Sequence, residues 1–137
     1  HGSGTAPLPS LARVQDVVDD VRAAGLDVDL TVEGEVRELP RALDVSAYRI
    51  VQEALTNALR HAGPDARAMV RLETNGEGVR IEVTDDGIGV SPGVNGGHGI
   101  VGMRERAQLL GGSFHAGPGP RGGYSVSAYL PVEEDSP

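Results

Sequence analysis

The stretch Asp44-Val45-Ser46-Ala47-Tyr48-Arg49-Ile50-Val51-Gln52-Glu53-Ala54-Leu55-Thr56-Asn57-Ala58-Leu59-Arg60-His61-Ala62 decides the fold. Ala47, Ile50, Val51, Ala54, Leu55, Ala58, Leu59 and Ala62 recur at helical spacing and form one continuous apolar stripe. Pro40 stands upstream and Gly63-Pro64 follows, which predicts a helix from about Asp44 to Ala62. The other side of this helix is polar. Glu53, Asn57 and His61 stand four apart, with Arg60 beside them. At about 100° per residue, Glu53, Asn57 and Arg60 fall within a narrow arc. A solvated face carrying one Glu–Arg pair is the plain reading of such a pattern. Against it, Asn is a mediocre helix former placed mid-helix beside the stripe. The residue types also suit a site for a hard cation and phosphate. Asn offers a neutral oxygen to a cation that keeps most of its waters. Glu can act as a general base or orient a water. Arg and His can meet phosphate oxygens.

Upstream, Leu11, Val14, Val18 and Val21 predict a short amphipathic helix, with Ser10 to cap its start and Gly25 to end it. Val28, Leu30 and Val32 alternate with Asp27, Asp29, Thr31 and Glu33, the pattern of a strand with one buried face. Downstream, Ala68 to Glu73 and Val79 to Thr84 alternate around Asn75-Gly76 and predict a β-hairpin. Asp85 to Gly99 is glycine-rich and reads as a loop, Ile100 to Leu110 as a helix stopped by Gly111-Gly112. A strand is predicted at Phe114 to Ala116 and a last one from Tyr124 to Leu130, ended by Pro131. Three helices with these strands imply an α+β two-layer sandwich, helices on one face of a mixed, largely antiparallel sheet.

Three glycine breaks punctuate the second half. Asp85-Asp86-Gly87-Ile88-Gly89 directly follows a predicted strand. Its glycines allow a tight turn and close approach to a flat ligand, and an aspartate there can accept from an exocyclic amine such as that of adenine. A plain Asp-Gly turn is the simpler alternative. Gly97-His98-Gly99-Ile100-Val101-Gly102 matches G-x-G-x-x-G, but a loop and not a strand precedes it, so a dinucleotide-binding βαβ unit is rejected. Its content is a glycine-rich lead into a helix N-terminus, where backbone N–H groups can hold phosphate oxygens. Arg121-Gly122-Gly123 reads as a turn before the last strand, and no site role is assigned to it.

Composition closes off other chemistries. A chain of 137 residues corresponds to one domain. It has no cysteine, which excludes disulfide scaffolds, thiolate zinc sites and cysteine nucleophiles. All twelve basic residues are arginine. Without lysine there is no P-loop, no protein-kinase strand lysine and no Schiff base. A net charge of −8 with no basic patch argues against nucleic acid as a partner. No apolar run approaches the roughly 20 residues of a membrane span, and no secretory signal is present. Residues 1–9 read as a tail or expression scar, 10–131 as the domain and 132–137 as an acidic tail.

Taken in order, these pieces resemble the ATP-binding catalytic domain of bacterial sensor histidine kinases, in the wider group of gyrase, heat-shock protein 90 and MutL. Tyr48 to Ala62 is similar to the family's N-box, Asp85 to Gly89 to its G1 box and Gly97 to Ala107 to its G2 box. The wording QEALTNALRHA and GMRERA resembles the subfamily that pairs with NarL-type response regulators. The resemblance implies the Bergerat-type ATP-binding fold, with ATP and Mg²⁺ as cofactors. It implies Asn57 as Mg²⁺ ligand, and Glu53 at the position of the catalytic base in the related ATPases. Arg60 and His61 would lie near the phosphates. Asp85 would read adenine, with Gly87 and Gly89 shaping the pocket. Gly97, His98 and Gly99 would face the phosphates, and Ser91 to His98 would be a short lid.

One departure is Tyr124, where the family often has a small hydroxyl residue. Another is the absence of a phospho-accepting histidine in a helical context: His61 and His98 sit in the ATP boxes and His115 in a predicted strand. The resemblance therefore implies a catalytic fragment, monomeric and inactive in autophosphorylation alone. It would donate the γ-phosphoryl to a histidine on a separate dimerisation segment of the parent kinase, upstream of a NarL-type regulator. The expected location is cytoplasmic, the parent being free or membrane-anchored. The alternatives are an anti-sigma-type serine kinase of the same fold and a non-catalytic nucleotide-binding module.

Overall fold

The computed structural model describes residues 10–34, 39–63, 65–87, 97–119 and 122–132, with the backbone alone at 97 and 98. A 3₁₀ turn (Leu11–Arg13) feeds α1 (Val14–Ala23), followed by β1 (Asp27–Glu33), α2 (Arg41–His61), β2 (Arg67–Asn75), β3 (Gly78–Asp85), α3 (Gly97–Leu109), β4 (Ser113–Pro118) and β5 (Tyr124–Pro131). The strands form one sheet in the order β1-β2-β3-β5-β4. Only β1 and β2 run parallel; the other three pairs are antiparallel. The predicted two-layer arrangement with a mixed, largely antiparallel sheet is what forms.

Register explains which face the helices cover. Val70 pairs with Val83, which pairs with Val126; Leu72 pairs with Ile81, which pairs with Ala128. Because side chains alternate along a strand, these residues share one face. All six are buried, together with Val79 and Leu130. The α2 stripe meets them with Leu43, Ala47, Ile50, Val51, Ala54, Leu55 and Ala58, all buried. Removing a side chain such as Ile50 from this layer costs about 2–5 kcal/mol. Among the described residues no polar or charged side chain is fully buried. No helix among them is long and apolar enough to cross a membrane.

Several boundaries differ from the sequence expectation. The long helix starts at Arg41, three residues before Asp44, because Pro40 is extended and its carbonyl already accepts from the Asp44 N–H. Asp44 thus lies in the first turn, where a carboxylate is favoured. It accepts from the Leu11 N–H at 2.7 Å and the Ser10 hydroxyl at 2.8 Å. Ser10 in turn caps the opening turn through the Ala12 N–H. In the hairpin the turn residues are Gly76 and Glu77, while Asn75 is the last residue of β2. Its Oδ1 accepts from the N–H groups of Glu77 and Gly78. β1 buries one face only at its start. Val28 is buried, Leu30 partly so, and Val32 is 41% exposed. β1 is an edge strand, and the ten-residue α1 covers only its first half.

Candidate functional site

The functional candidates cluster where α2 ends. Glu53 and Asn57 are half-buried on the polar side of α2, one turn apart. Among the described residues neither has a hydrogen bond or ion pair through its side chain, so the Glu–Arg pair of a plain solvated face is not formed. They face the first turn of α3. A Cβ at Gly99 would lie 3.1 Å from Asn57 Nδ2 and 3.7 Å from Glu53 Cγ. The glycine allows that approach.

α3 begins at Gly97, so Gly97, His98 and Gly99 form its first turn instead of the predicted loop before it. The first four N–H groups of a helix lack partners within it, so such a turn offers donors of the kind that anions take. Its N-terminal turn contains no acidic residue to compete for them. His61, on the last turn of α2, is half-buried, whereas Arg60 points to solvent and is exposed.

The second half of the site is at the end of β3. Asp85 is the last residue of that strand rather than the start of a loop. It has the parity of Val83 and Ile81, so it belongs to the helix-covered face. Its Oδ1 accepts from the Gly87 N–H at 2.9 Å, and the Tyr124 N–H lies near enough to favour the charged carboxylate. Burial pushes the Asp85 carboxyl above its ordinary value; the two N–H groups offset part of this, and the Asp86 charge adds to it.

Asp86 does something else. Its Oδ1 accepts from the Arg67 N–H at 2.7 Å, and its own N–H donates to the Arg67 carbonyl. It ties the end of β3 to the start of β2. Gly87 then packs on the end of α2, where an added Cβ would collide with the Ala62 carbonyl oxygen and Cβ. Gly89 and the predicted lid, Ser91 to His98, fall outside the described residues except for the backbone at 97 and 98.

The structure therefore brings Glu53 and Asn57 together with Gly99, and Gly87, bonded to Asp85, together with the end of α2. It leaves Arg60 at the rim. Sequence reasoning passed over Gly123, which packs against Asp85. The glycine break before the last strand was the available signal.

Donor chemistry fits a nucleotide with a divalent cation. Among the described residues no cluster of three His, Asp or Glu side chains could hold a metal ion. A cation at Asn57 would take most of its ligands from phosphate and water, as Mg²⁺ does.

Comparison with known proteins gives the family and the fold. Residues 43–134 match the model of the histidine kinase-, DNA gyrase B- and HSP90-like ATPases. Sensor histidine kinase LnrJ of Bacillus subtilis is 33% identical over 110 residues, which cover 80% of this chain and 27% of LnrJ. The chain spans about a quarter to a third of the length of the curated relatives first matched. Among solved structures, the catalytic domain of histidine kinase ThkA superposes with a TM-score of 0.68 at 17% identity, over 88% of this chain and 90% of that one. The histidine kinase domain of the blue-light activated kinase EL346 of Erythrobacter litoralis gives 0.69 at 26% identity, over 94% and 66%. The half-buried Asn57 beside the first turn of α3 and the inward Asp85 thus stand in a known frame: the chain belongs to the histidine kinase-, DNA gyrase B- and HSP90-like ATPase family, as an ATP-binding catalytic domain of the sensor histidine kinase type.

Proposed function

We propose that this domain binds Mg²⁺-ATP and presents the γ-phosphoryl to a histidine carried on a separate dimerisation and phosphoacceptor segment of a sensor kinase. The observation that carries this is the pair Glu53 and Asn57, half-buried, without a hydrogen-bond or ion-pair partner among the described residues, against the first turn of α3. Polar side chains in such a position are poised for a ligand.

Asp85 accepts a hydrogen bond from the adenine amine, and Gly87 and Gly89 shape the pocket around the ring. The N–H groups of Gly97, His98 and Gly99 hold phosphate oxygens, with His61 and Arg60 at the rim adding charge and donors. Asn57 supplies a neutral oxygen to Mg²⁺, which when bound neutralises phosphate charge. Glu53 stands beside Asn57 as the acceptor for a proton or an ordered water. Phosphoryl transfer needs positioning and charge neutralisation more than covalent help, so a domain without its own nucleophile is sufficient for the donor half. The receiving histidine lies elsewhere, and the fragment alone does not autophosphorylate.

Residues 10–131 form the catalytic unit; the bonds of Ser10 and Leu11 to Asp44 and the end of β5 at Pro131 support these limits. The names of the relatives support a phosphoacceptor domain and a downstream response regulator, of NarL type by the wording of the boxes. The domain works in the cytoplasm, where its substrate is.

Calorimetric titration with a non-hydrolysable ATP analogue and Mg²⁺ tests the site. Wild type binds in the micromolar to millimolar range, and Asn57→Ala and Asp85→Asn each weaken binding about tenfold or more, the worth of one hydrogen bond to a charged group. Absence of binding in wild type would overturn the nucleotide reading.

A further inference from the structure

Residues that face each other as a hydrogen-bonded pair in an antiparallel ladder exchange two backbone bonds. One step beyond Ala68↔Asp85, the register of β2 and β3 sets Arg67 opposite Asp86. The first bond of this pair is ordinary: the Asp86 N–H donates to the Arg67 carbonyl at 3.1 Å. The second is not. The Arg67 N–H donates to Asp86 Oδ1, at 2.7 Å. The side chain of Asp86 thus stands in for its own carbonyl. The last rung is complete while the main chain is free to turn out of it.

That freedom decides where the chain goes next. One residue later it leaves the sheet and meets the end of α2. Gly87 lies so close that an added Cβ would collide with the Ala62 carbonyl oxygen and Cβ. From there the Gly87 N–H reaches back to Asp85 Oδ1 at 2.9 Å. A chain held in the ladder through the carbonyl of residue 86 would run on beside β2 and carry Gly87 away from α2. Arg67 is a firm anchor for such a lock, because it lies between β3 and β1, opposite Asp27.

We propose that Asp86 is a positioning residue for base recognition: it makes the chain peel from β2 at a fixed point, which sets the Asp85 carboxylate and Gly87 beside the end of α2. The inference rests on the nucleotide-site reading above. Asp86 acts through its rung with Arg67 and not by contact with the base. Its acceptor oxygen is the working part, so an amide of the same shape serves in its place.

Two variants separate acceptor from charge. Asp86→Asn keeps the oxygen and removes the charge. Asp86→Ala removes both and leaves the Arg67 N–H to the main-chain carbonyl of residue 86, which draws the chain back into the ladder. Affinity is measured by calorimetry with Mg²⁺ and two non-hydrolysable triphosphates, one of adenine and one of purine, which lacks the amine. Asp86→Ala is expected to bind the adenine analogue about tenfold more weakly than Asp86→Asn does, and the purine analogue less than about threefold more weakly. Asp86→Asn should stay within about threefold of wild type on both. Equal affinities of the two variants for the adenine analogue overturn the proposal. So does a loss of equal size on both analogues, which is what a merely structural role gives.

A second measurement needs no nucleotide. Hydrogen exchange at the Gly87 amide is compared with that at Val70 and Val83, inside the ladder, so that a general loss of stability cancels. Relative to those two, the Gly87 amide should exchange about fivefold faster or more in Asp86→Ala than in Asp86→Asn. The same relative rate in both variants overturns the positioning role. A wild type that binds no adenine nucleotide fails the nucleotide reading alone, and the Gly87 exchange then judges the lock by itself.

Discussion

The outer face of the sheet and the site at the end of α2 treat polar side chains in opposite ways. On the outer face charges answer one another. Arg71 lies 3.3 Å from Glu73 and 3.6 Å from Glu33, Arg80 lies 3.7 Å from Glu73, and the Arg80 guanidinium stacks over the Tyr129 ring. Glu33, Glu73, Arg80 and Tyr129 are cross-strand neighbours by register, with Arg71 two residues before Glu73 on the same strand. Near the end of α2, Glu53 and Asn57 have no such partners among the described residues. The neighbours Asp85 and Asp86 repeat the contrast. Asp86 closes a strand end through Arg67, whereas Asp85 turns inward, away from full hydration. A side chain that satisfies itself locally serves the fold. One left half-buried and unpaired costs stability and serves a ligand.

Four substitutions test how sharp this division is. The largest effect falls on binding: Asn57→Ala should weaken Mg²⁺-nucleotide affinity about 10–100-fold by calorimetry, with little change in the urea midpoint because no partner among the described residues is lost. A large stability loss would place Asn57 with the structural residues. Next, Asp44→Ala leaves the Leu11 N–H and Ser10 hydroxyl without their acceptor and should cost about 1–3 kcal/mol in urea unfolding.

Asp85→Asn should act with opposite signs on its two readouts. The folded-state pKa of Asp85 lies above the ordinary value of 3.8. Its contribution to stability is therefore fully present below that value and is lost as pH rises through the folded-state pKa. Asparagine removes the cost of the buried charge, so the variant should melt higher than wild type at pH 7, with the gap closing toward pH 3, while binding ATP analogues more weakly. A variant that melts lower at pH 7 would break the comparison. The smallest effect belongs to Glu73→Gln. Its partners Arg71 and Arg80 are about half exposed, and such pairs contribute about 0–1 kcal/mol, screened by salt. Urea midpoints at low and high salt should differ less in the variant than in wild type.

Much of the fold and part of the site can be read from local spacing. The apolar stripe from Ala47 to Ala62 identifies α2 and, by subtraction, its polar side. The alternation on either side of Asn75 identifies the β2–β3 hairpin. These patterns are repeats of 3.6 and 2 residues, set by backbone geometry before any tertiary contact forms. The N-box helix and the two glycine boxes after it, in order, identify the family.

What stayed hidden depends on contacts between residues distant in the chain. Asp85 and Asp86 are indistinguishable in sequence, and only the β2–β3 register sends one inward and the other to Arg67. The parallel placement of β1 beside β2 leaves Val32 at an exposed edge, although its alternation equals that of a covered strand. Gly97 to Gly99 could precede a helix or begin one, and the helix begins there. Gly123 and Tyr124 read as a turn and a strand start until β5 lies beside β3. The sequence by itself determined the elements, their amphipathic faces and the family, because those follow from short-range periodicity and motif order. Tertiary structure alone decided which polar groups meet and which are left for a ligand, because that depends on register and packing between segments that no local spacing specifies.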